Sequence, residues 1–215
     1  MKESARATVE RVVGFWFGEL EISKPGAAAE EHLRERWFGG GEAFDREIER
    51  HFESLLPALE ASLRESEPQV PSDLLADEPA ARLARVLVLD QFSRNLYRDG
   101  AAMFATDDLA LAETMKGLEE GVDARLGGDA RAFFLMPLMH SEDREVQRLS
   151  VESFGRLLED SPESYREPAE NYLDYARQHR VIVDRFGRYP HRNGLLGRAS
   201  TAEEEEFLGQ PGSSF

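Results

Sequence analysis

Apolar residues recur along most of the chain at spacings of three and four, the period of a helix that buries one face. The clearest stripe starts at Phe44 and continues at positions 48, 52, 55, 56, 59 and 63, with charged residues between them. Pro57 lies inside this stripe, and a proline in a helix interior costs about 3 kcal/mol. The pattern therefore predicts two helices that meet near Leu55.

Capping residues and helix breakers predict where the later helices begin and end. A helix that begins at Asp129 is expected to be interrupted at Pro137. A long helix is expected farther along the chain, with one face marked by positions 172, 175, 176, 179, 182, 183 and 186. Asp77 followed by Pro79 marks another predicted helix start, and Thr106 or Asp107 begins a predicted helix that ends at Gly121. Two further helices are predicted to start at Ser141 and at Ser200, which forms a capping box with Glu203.

No segment alternates apolar and polar residues with the period of a strand, so the sequence predicts an all-α protein. Helices of 10–20 residues that are joined by short loops favour antiparallel neighbours. The polar stretch 65–72 and the pair Gly127-Gly128 are too short for interdomain linkers. We therefore expect one helical domain over residues 1–215, with a frayed tail at 209–215.

Composition and charge limit the classes of partner that the protein is expected to bind. The net charge of −16 disfavours nucleic acid, because phosphates need clustered cations. No signal peptide is apparent, and no stretch reaches the ~20 apolar residues of a membrane span. Cysteine is absent, which fits a reducing cytoplasm. We expect a cytoplasmic protein without a membrane or nucleic-acid partner. The sequence is compatible with a homo-oligomer.

Three polar segments interrupt the ordinary helix pattern, and the first runs from position 87 to 98. Asp90, Gln91, Arg94 and Asn95 directly follow the most apolar helix. Asp90 and Arg94 are four residues apart, so they share a helix face and can form an ion pair. The segment is either an intrahelical salt bridge at the edge of the core or one wall of a cleft into which Arg94 and Arg98 point.

The second polar segment surrounds His140, which ends one predicted helix just before the next begins. A histidine at a helix C-terminus is favoured by the macrodipole, which gives a purely structural explanation. The alternative is a general acid or base beside Glu142, whose carboxylate would raise the histidine pKa. His140 and Glu142 are therefore candidate catalytic residues, together with His191 from the third polar segment.

The third polar segment, residues 180–198, holds five arginines against one acid, Asp184, in an otherwise acidic chain. Its glycines and Pro190 predict a structured loop. The arginines can form ion pairs with the acidic body, or they can bind a small anion, because guanidinium groups match carboxylate and phosphate. The candidate ligand-binding residues in this segment are Arg185, Arg188, His191, Arg192 and Asn193.

The sequence carries no motif for a bound cofactor or metal. Phosphate-binding glycine loops, dinucleotide fingerprints, zinc helices and nucleophile elbows are absent, and the five histidines show no ligand spacing. We therefore expect no cofactor and no metal.

At the three polar segments the chain resembles a bacterial family known as domain of unknown function 924. The resemblance covers nearly the whole chain, with Ser93 where the family usually has proline and Met139 where it commonly has glutamate. It implies an α-α superhelix similar to tetratricopeptide-repeat proteins, without recognisable sequence repeats, and it implies no activity. The matching motifs lie at 15–17, 36–38, 89–95, 136–142, 185–193 and 196–201.

The three segments together suggest one site. Each places charge beside the end of an apolar helix, where an unpaired charge is costly, so we expect them to converge. The preferred interpretation is a helical binding domain with a polar groove for a small anion or an acidic peptide. The alternatives are an enzyme that uses His140 or His191 as acid or base on an anionic substrate, and a scaffold whose ion pairs only hold helices together.

Overall fold

The computed structural model describes residues 7–39, 41–65 and 67–213, and in these ranges it is helical without strands, as the sequence predicted. The first four helices are α1 (Ala7–Phe17), α2 (Glu31–Gly39), α3 (Glu42–Phe52) and α4 (Leu55–Glu65). The break before Leu55 confirms that Pro57 belongs to a second helix.

A long, mostly buried helical segment follows, in which α5 (Pro79–Val86) leads into a π-helical turn (Leu87–Phe92) and then into α6 (Ser93–Leu96). Pro79 occupies the first turn as expected, but the residue before it, Glu78, is the N-cap. The prediction of Asp77 as the cap was wrong, and its carboxylate instead contacts the buried Arg82 at 3.4 Å.

The remaining helices are α7 (Asp107–Glu119), α8 (Gly128–His140), α9 (Arg144–Asp160), α10 (Arg166–Phe186) and α11 (Ala202–Leu208). The predicted interruption at Pro137 was wrong, because α8 continues through it to His140. A buried glutamine satisfies carbonyl groups at the end of α8, because Nε2 of Gln147 donates to the backbone oxygens of Met139 and of Ser141, the residue after the helix. The long helix predicted over Tyr172–Phe186 is confirmed as part of α10.

Two predicted caps were displaced along the chain. Helix α9 is capped by Asp143 and not by Ser141. The Asp143 side chain accepts hydrogen bonds from the backbone amides of Glu145 and Val146. The capping box of α11 is formed by Thr201 and Glu204, one residue after the predicted pair. Several residues that can cap a helix stand side by side at both places, so composition alone does not select one.

Helix α8 lies at the centre of the core and packs against α7, α9 and α10. Every residue of α8 before His140 is buried, which explains why its sequence after Arg131 is apolar on all sides. An aromatic group joins α8 to the N-terminal helices, because Phe133 packs edge-on against Trp16 and Phe17. No helix in the described ranges is long and apolar enough to cross a membrane.

The start of α8 is locked to the loop between α1 and α2. The fully buried Asp129 accepts hydrogen bonds from the amide of Ala29 at 2.7 Å and from the hydroxyls of Tyr165 and Tyr172 at 2.6 and 3.0 Å. A Cβ atom at Gly127 would lie 1.9 Å from the carbonyl oxygen of Lys24, so only glycine fits there. Near the end of the described residues, the Ser213 hydroxyl donates to the carbonyl of Leu208. Positions 214–215 of the predicted frayed tail lie outside the described residues.

Candidate functional site

The first polar segment lies on the π-helical turn, and the wider turn leaves backbone carbonyls for side chains to contact. Thr106 donates to the carbonyl oxygen of Leu89 at 2.6 Å, and Ser93 donates to the same oxygen at 2.7 Å. Arg94 donates to the carbonyl of Asp90 at 2.6 Å. These side chains satisfy carbonyl groups of the π-helical turn by hydrogen bonding, and they fix the positions of Asp90 and Arg94.

Asp90 stands at the centre of the site. Its carboxylate is completely buried, and Oδ1 contacts both Nδ1 of His140 at 2.6 Å and Nη1 of Arg94 at 3.1 Å. Oδ2 accepts a hydrogen bond from the Gln91 amide at 2.6 Å. Burial opposes ionisation, but Arg94 and His140 outweigh it and hold the Asp90 pKa below its ordinary value. The predicted pairing of Asp90 with Arg94 is confirmed.

Arg94 also contacts a second carboxylate, Asp107, on the first turn of α7. Nη1 of Arg94 lies 3.0 Å from one oxygen of Asp107, and Arg192 lies 3.2 Å from the other. A continuous series of contacts therefore runs through His140, Asp90, Arg94, Asp107 and Arg192, which we call the charge chain. It brings together side chains from all three polar segments, so their predicted convergence is confirmed.

Arg192 forms the end of the charge chain that comes from the loop after α10. Its guanidinium lies 4.5 Å from the ring centroid of Phe104 and 4.7 Å from that of Tyr189. The residue is only 7% exposed, and burial lowers the pKa of its guanidinium. Among the residues that the structure describes, the only side-chain hydrogen bond of Arg192 goes to Asp107, and its buried Nε has no acceptor.

Other buried arginines in the described ranges have more acceptors, although Nε of Arg82 and of Arg131 also lacks one. Arg82 contacts three carboxylates and Arg131 contacts two. Arg85 contacts one carboxylate and donates to two backbone carbonyls. Arg192 has a single carboxylate, which it shares with Arg94. Its guanidinium thus retains donors that no described residue uses.

His140 has the surroundings of a neutral histidine. Burial and the nearby Arg94 lower its pKa, and Asp90 only partly offsets them. An ionised carboxylate can only accept, so the His140 proton lies on Nδ1 and points to Asp90. This is the only hydrogen bond of the ring within the described ranges, and the side chain is 18% exposed. Nε2 is consequently an available proton acceptor.

Two further histidines lie nearby and are also uncharged at neutral pH. Burial, together with Arg192, lowers the pKa of His191 to about 4, and its Nδ1 is buried without a partner in the described structure. Burial, together with His140, lowers the pKa of His179 to about 3. The ring centroids of His140 and His179 are 6.4 Å apart, and His179 packs edge-on against Tyr189 at 5.7 Å.

Glu142, a candidate acid or base, holds the loop in place. Arg198 binds it through two hydrogen bonds of 2.7 and 2.9 Å, and the amide of Tyr189 donates to it at 2.8 Å. Burial would raise the Glu142 pKa, but these donors lower it below the ordinary value. Arg198 also donates to the side-chain oxygen of Asn193 at 3.0 Å. Both Glu142 and Asn193 therefore support the loop beside the charge chain.

The outer arginines of the third segment form ion pairs with α11. Arg188 donates to both carboxylate oxygens of Glu204 at 2.6 and 2.8 Å, and Arg185 contacts Glu203 at 2.8 Å. These contacts favour internal ion pairing for Arg185 and Arg188. On the first segment, Asn95 donates to Asp45 at 2.8 Å, in a separate shallow cleft near α3. These three predicted site residues do not contact the charge chain.

Asp107, Phe104 and Tyr189 complete the site but were not among the residues predicted for it. Asp107 was interpreted only as a helix cap, although the N-cap is Thr106 and the Asp107 carboxylate turns toward the arginines. No local pattern distinguishes such an acid from an ordinary first-turn acid. Within the described ranges, no group of three or more residues is arranged to hold a metal ion.

Comparison with known proteins identifies the family. Residues 12–212 match the family described as bacterial protein of unknown function, DUF924, and the chain belongs to it. The chain is also similar to the solved structure of a protein of unknown function, ATU0120, from Agrobacterium tumefaciens, with 32% identity and a TM-score of 0.73. The similarity covers 95% of this chain and 98% of that one. None of the curated proteins with which the chain was compared matches it.

Proposed function

We propose that the chain is a helical binding domain whose charge chain receives a small anion, with Arg192 as the principal contact. The observation that carries this proposal is the buried guanidinium of Arg192 with a single shared carboxylate. Buried polar groups are nearly always hydrogen-bonded, and a buried charge is costly unless it is fully paired. A carboxylate or phosphate oxygen would supply the missing acceptor.

The charge balance of the site favours one small anion rather than a long acidic partner. Arg94 and Arg192 are balanced by Asp90 and Asp107, and the outer arginines are already paired with the acidic body. A ligand therefore gains little from the outer arginines. It gains most at Arg192, whose guanidinium retains a donor without an acceptor among the described residues.

The same arrangement makes binding depend on pH. His140 and His191 are neutral near pH 7 because burial lowers the pKa of each. An anion close to these rings would favour their protonated forms and raise both pKa values. We therefore expect the affinity for an anion to increase as the pH falls from 7.5 to about 6, with the histidines taking up protons.

Thermal unfolding with added phosphate or succinate tests the anion site, with chloride matched for ionic strength. A ligand present at about 100 times its Kd stabilises the folded state by about 2.7 kcal/mol. For a chain of this length, that corresponds to a Tm increase of about 5–10 °C. We expect the shift in the wild type and its loss in Arg192→Gln.

The matched control is Arg46→Ala, because Arg46 is an exposed arginine on α3 whose one ion-pair partner among the described residues is Glu42. Its shift should equal that of the wild type. A Tm that does not respond to phosphate, succinate or a short acidic peptide would contradict the anion site. The charge chain would then be a scaffold that only holds the helices together.

A further inference from the structure

The pair formed by Asp90 and His140 has the geometry of a positioned base. A buried carboxylate fixes the Nδ1 proton of the ring at 2.6 Å, and the opposite ring nitrogen, Nε2, remains unbonded in the described structure. A general base in an enzyme needs a third group that orients it in this way. The partial exposure of His140 leaves Nε2 open to a small molecule.

We propose that the protein hydrolyses an acyl ester bearing a carboxylate. In this reaction His140 acts as the general base and Asp90 is its positioning residue. This proposal rests on the proposed anion site, since Arg192 would hold the carboxylate of the substrate. The contacts from His140 to Arg192 through Asp90, Arg94 and Asp107 place the base and the anion contact in one cluster.

The reaction needs only water as the second reactant. Nε2 of His140 takes a proton from a water molecule, whose oxygen forms a bond to the acyl carbon as the carbonyl electrons move to oxygen. When the tetrahedral intermediate collapses, the bond to the alcohol oxygen breaks, and the proton on Nε2 passes to that oxygen. The products are a carboxylic acid and an alcohol, and His140 returns to its neutral form.

The neighbouring candidate residues are less suited to this role. Glu142 is occupied by two hydrogen bonds from Arg198 and one from a backbone amide. The buried Nδ1 of His191 is not oriented by any acidic residue in the part of the chain that the structure describes. His179 is only 7% exposed, and its Nδ1 is bonded to a backbone carbonyl at 2.7 Å. Among the three neighbouring histidines, His140 combines an oriented proton with an open nitrogen.

The test compares hydrolysis of mono-p-nitrophenyl succinate, which carries a carboxylate, with that of the neutral p-nitrophenyl acetate. His140→Gln is the main variant, because glutamine can still donate a hydrogen bond to Asp90. General-base catalysis contributes about 100-fold to 10,000-fold. We expect His140→Gln to lose at least about 100-fold in kcat/KM on the succinate ester. The exposed His32 supplies the control, and His32→Gln should retain the full rate.

The pH profile separates positioning from simple structural support. In the wild type, kcat/KM should increase with pH as His140 loses its proton and then reach a plateau. Asp90 raises the His140 pKa, so Asp90→Asn should lower the plateau and move the rising limb to lower pH. A variant that merely loosened the fold would lower the rate without moving this limb.

The two esters distinguish this proposal from the anion site. If the acetate ester is hydrolysed through His140 but succinate gives no Tm shift, the base is present and the anion site fails. If succinate stabilises the protein but the wild type hydrolyses both esters no faster than His140→Gln, the proposal of a general base is overturned. Preference for the succinate ester that disappears in Arg192→Gln supports both.

Discussion

Replacing Arg94 with alanine removes the cation that joins the two carboxylates of the charge chain. Nη1 of Arg94 lies 3.1 Å from Asp90 and 3.0 Å from Asp107, and Asp90 is completely buried. Removing one partner of a buried ion pair costs about 3–5 kcal/mol, because the remaining charge is left uncompensated. Arg94 itself is 18% exposed, so we expect a loss near the lower end, about 3 kcal/mol.

Urea unfolding at pH 7 measures this loss, and the Tm should fall by about 6–12 °C at ~2–4 °C per kcal/mol. The surface variant Arg46→Ala should lose no more than about 0.5 kcal/mol, as is usual for an exposed pair. A loss below about 1 kcal/mol in Arg94→Ala would refute the argument, because the buried carboxylate would then not depend on Arg94.

The difference between Arg94→Ala and the wild type should also depend on pH. The pKa of Asp90 is lower in the folded protein than in the unfolded chain, where it is about 3.9. Its stabilisation is therefore present above the unfolded pKa and is lost as the pH falls through the folded pKa. Without Arg94 this contribution is smaller, because only His140 and Gln91 still favour the ionised carboxylate. The gap in unfolding free energy should consequently narrow below about pH 4.

Two further predictions concern stability. The His179 pKa is lowered from an ordinary value of 6.5 to about 3, so its contribution is complete above the unfolded pKa and declines as the pH falls toward 3. His179→Gln should flatten the decrease in unfolding free energy between pH 7 and 4, and an unchanged slope would contradict this. Gly127→Ala places a Cβ 1.9 Å from a backbone oxygen and should cost at least about 1–3 kcal/mol in urea unfolding. Gly155→Ala, in open space within α9, should instead stabilise by about 0.5–1 kcal/mol, and equal effects of the two would be evidence against the close approach.

Much of the fold could be predicted because helical periodicity is a local property. The stripe after Phe44 and the long face ending at Phe186 each identify a helix without knowledge of its neighbours. The caps were less predictable, because Ser141 and Asp143 differ little in composition and tertiary packing selects between them. The tetratricopeptide-like arrangement of the helices stays a prediction.

The site could be predicted only in part. Asp90 and Arg94 are four residues apart, so their contact follows from helix geometry. The contact of Arg94 and Arg192 with Asp107 joins positions that are far apart in the chain, and only packing of α7 beside the π-helical turn creates it. The outer arginines looked similar to Arg192 in sequence. Their partners, Glu203 and Glu204, lie beyond the polar segments in which we searched for a site.

The π-helical turn gives the helix that contains it two different phases. Each residue of an α-helix advances the side-chain direction by about 100°, and a π-helical turn accommodates one extra residue within the same turn. The helical phase before the turn points residues such as Leu83 into the core. The shifted phase after the turn sets the direction of Arg94. A single-residue insertion is enough to create such a change. One short step in evolution could thus turn part of a buried structural helix toward a new polar surface without repacking the rest.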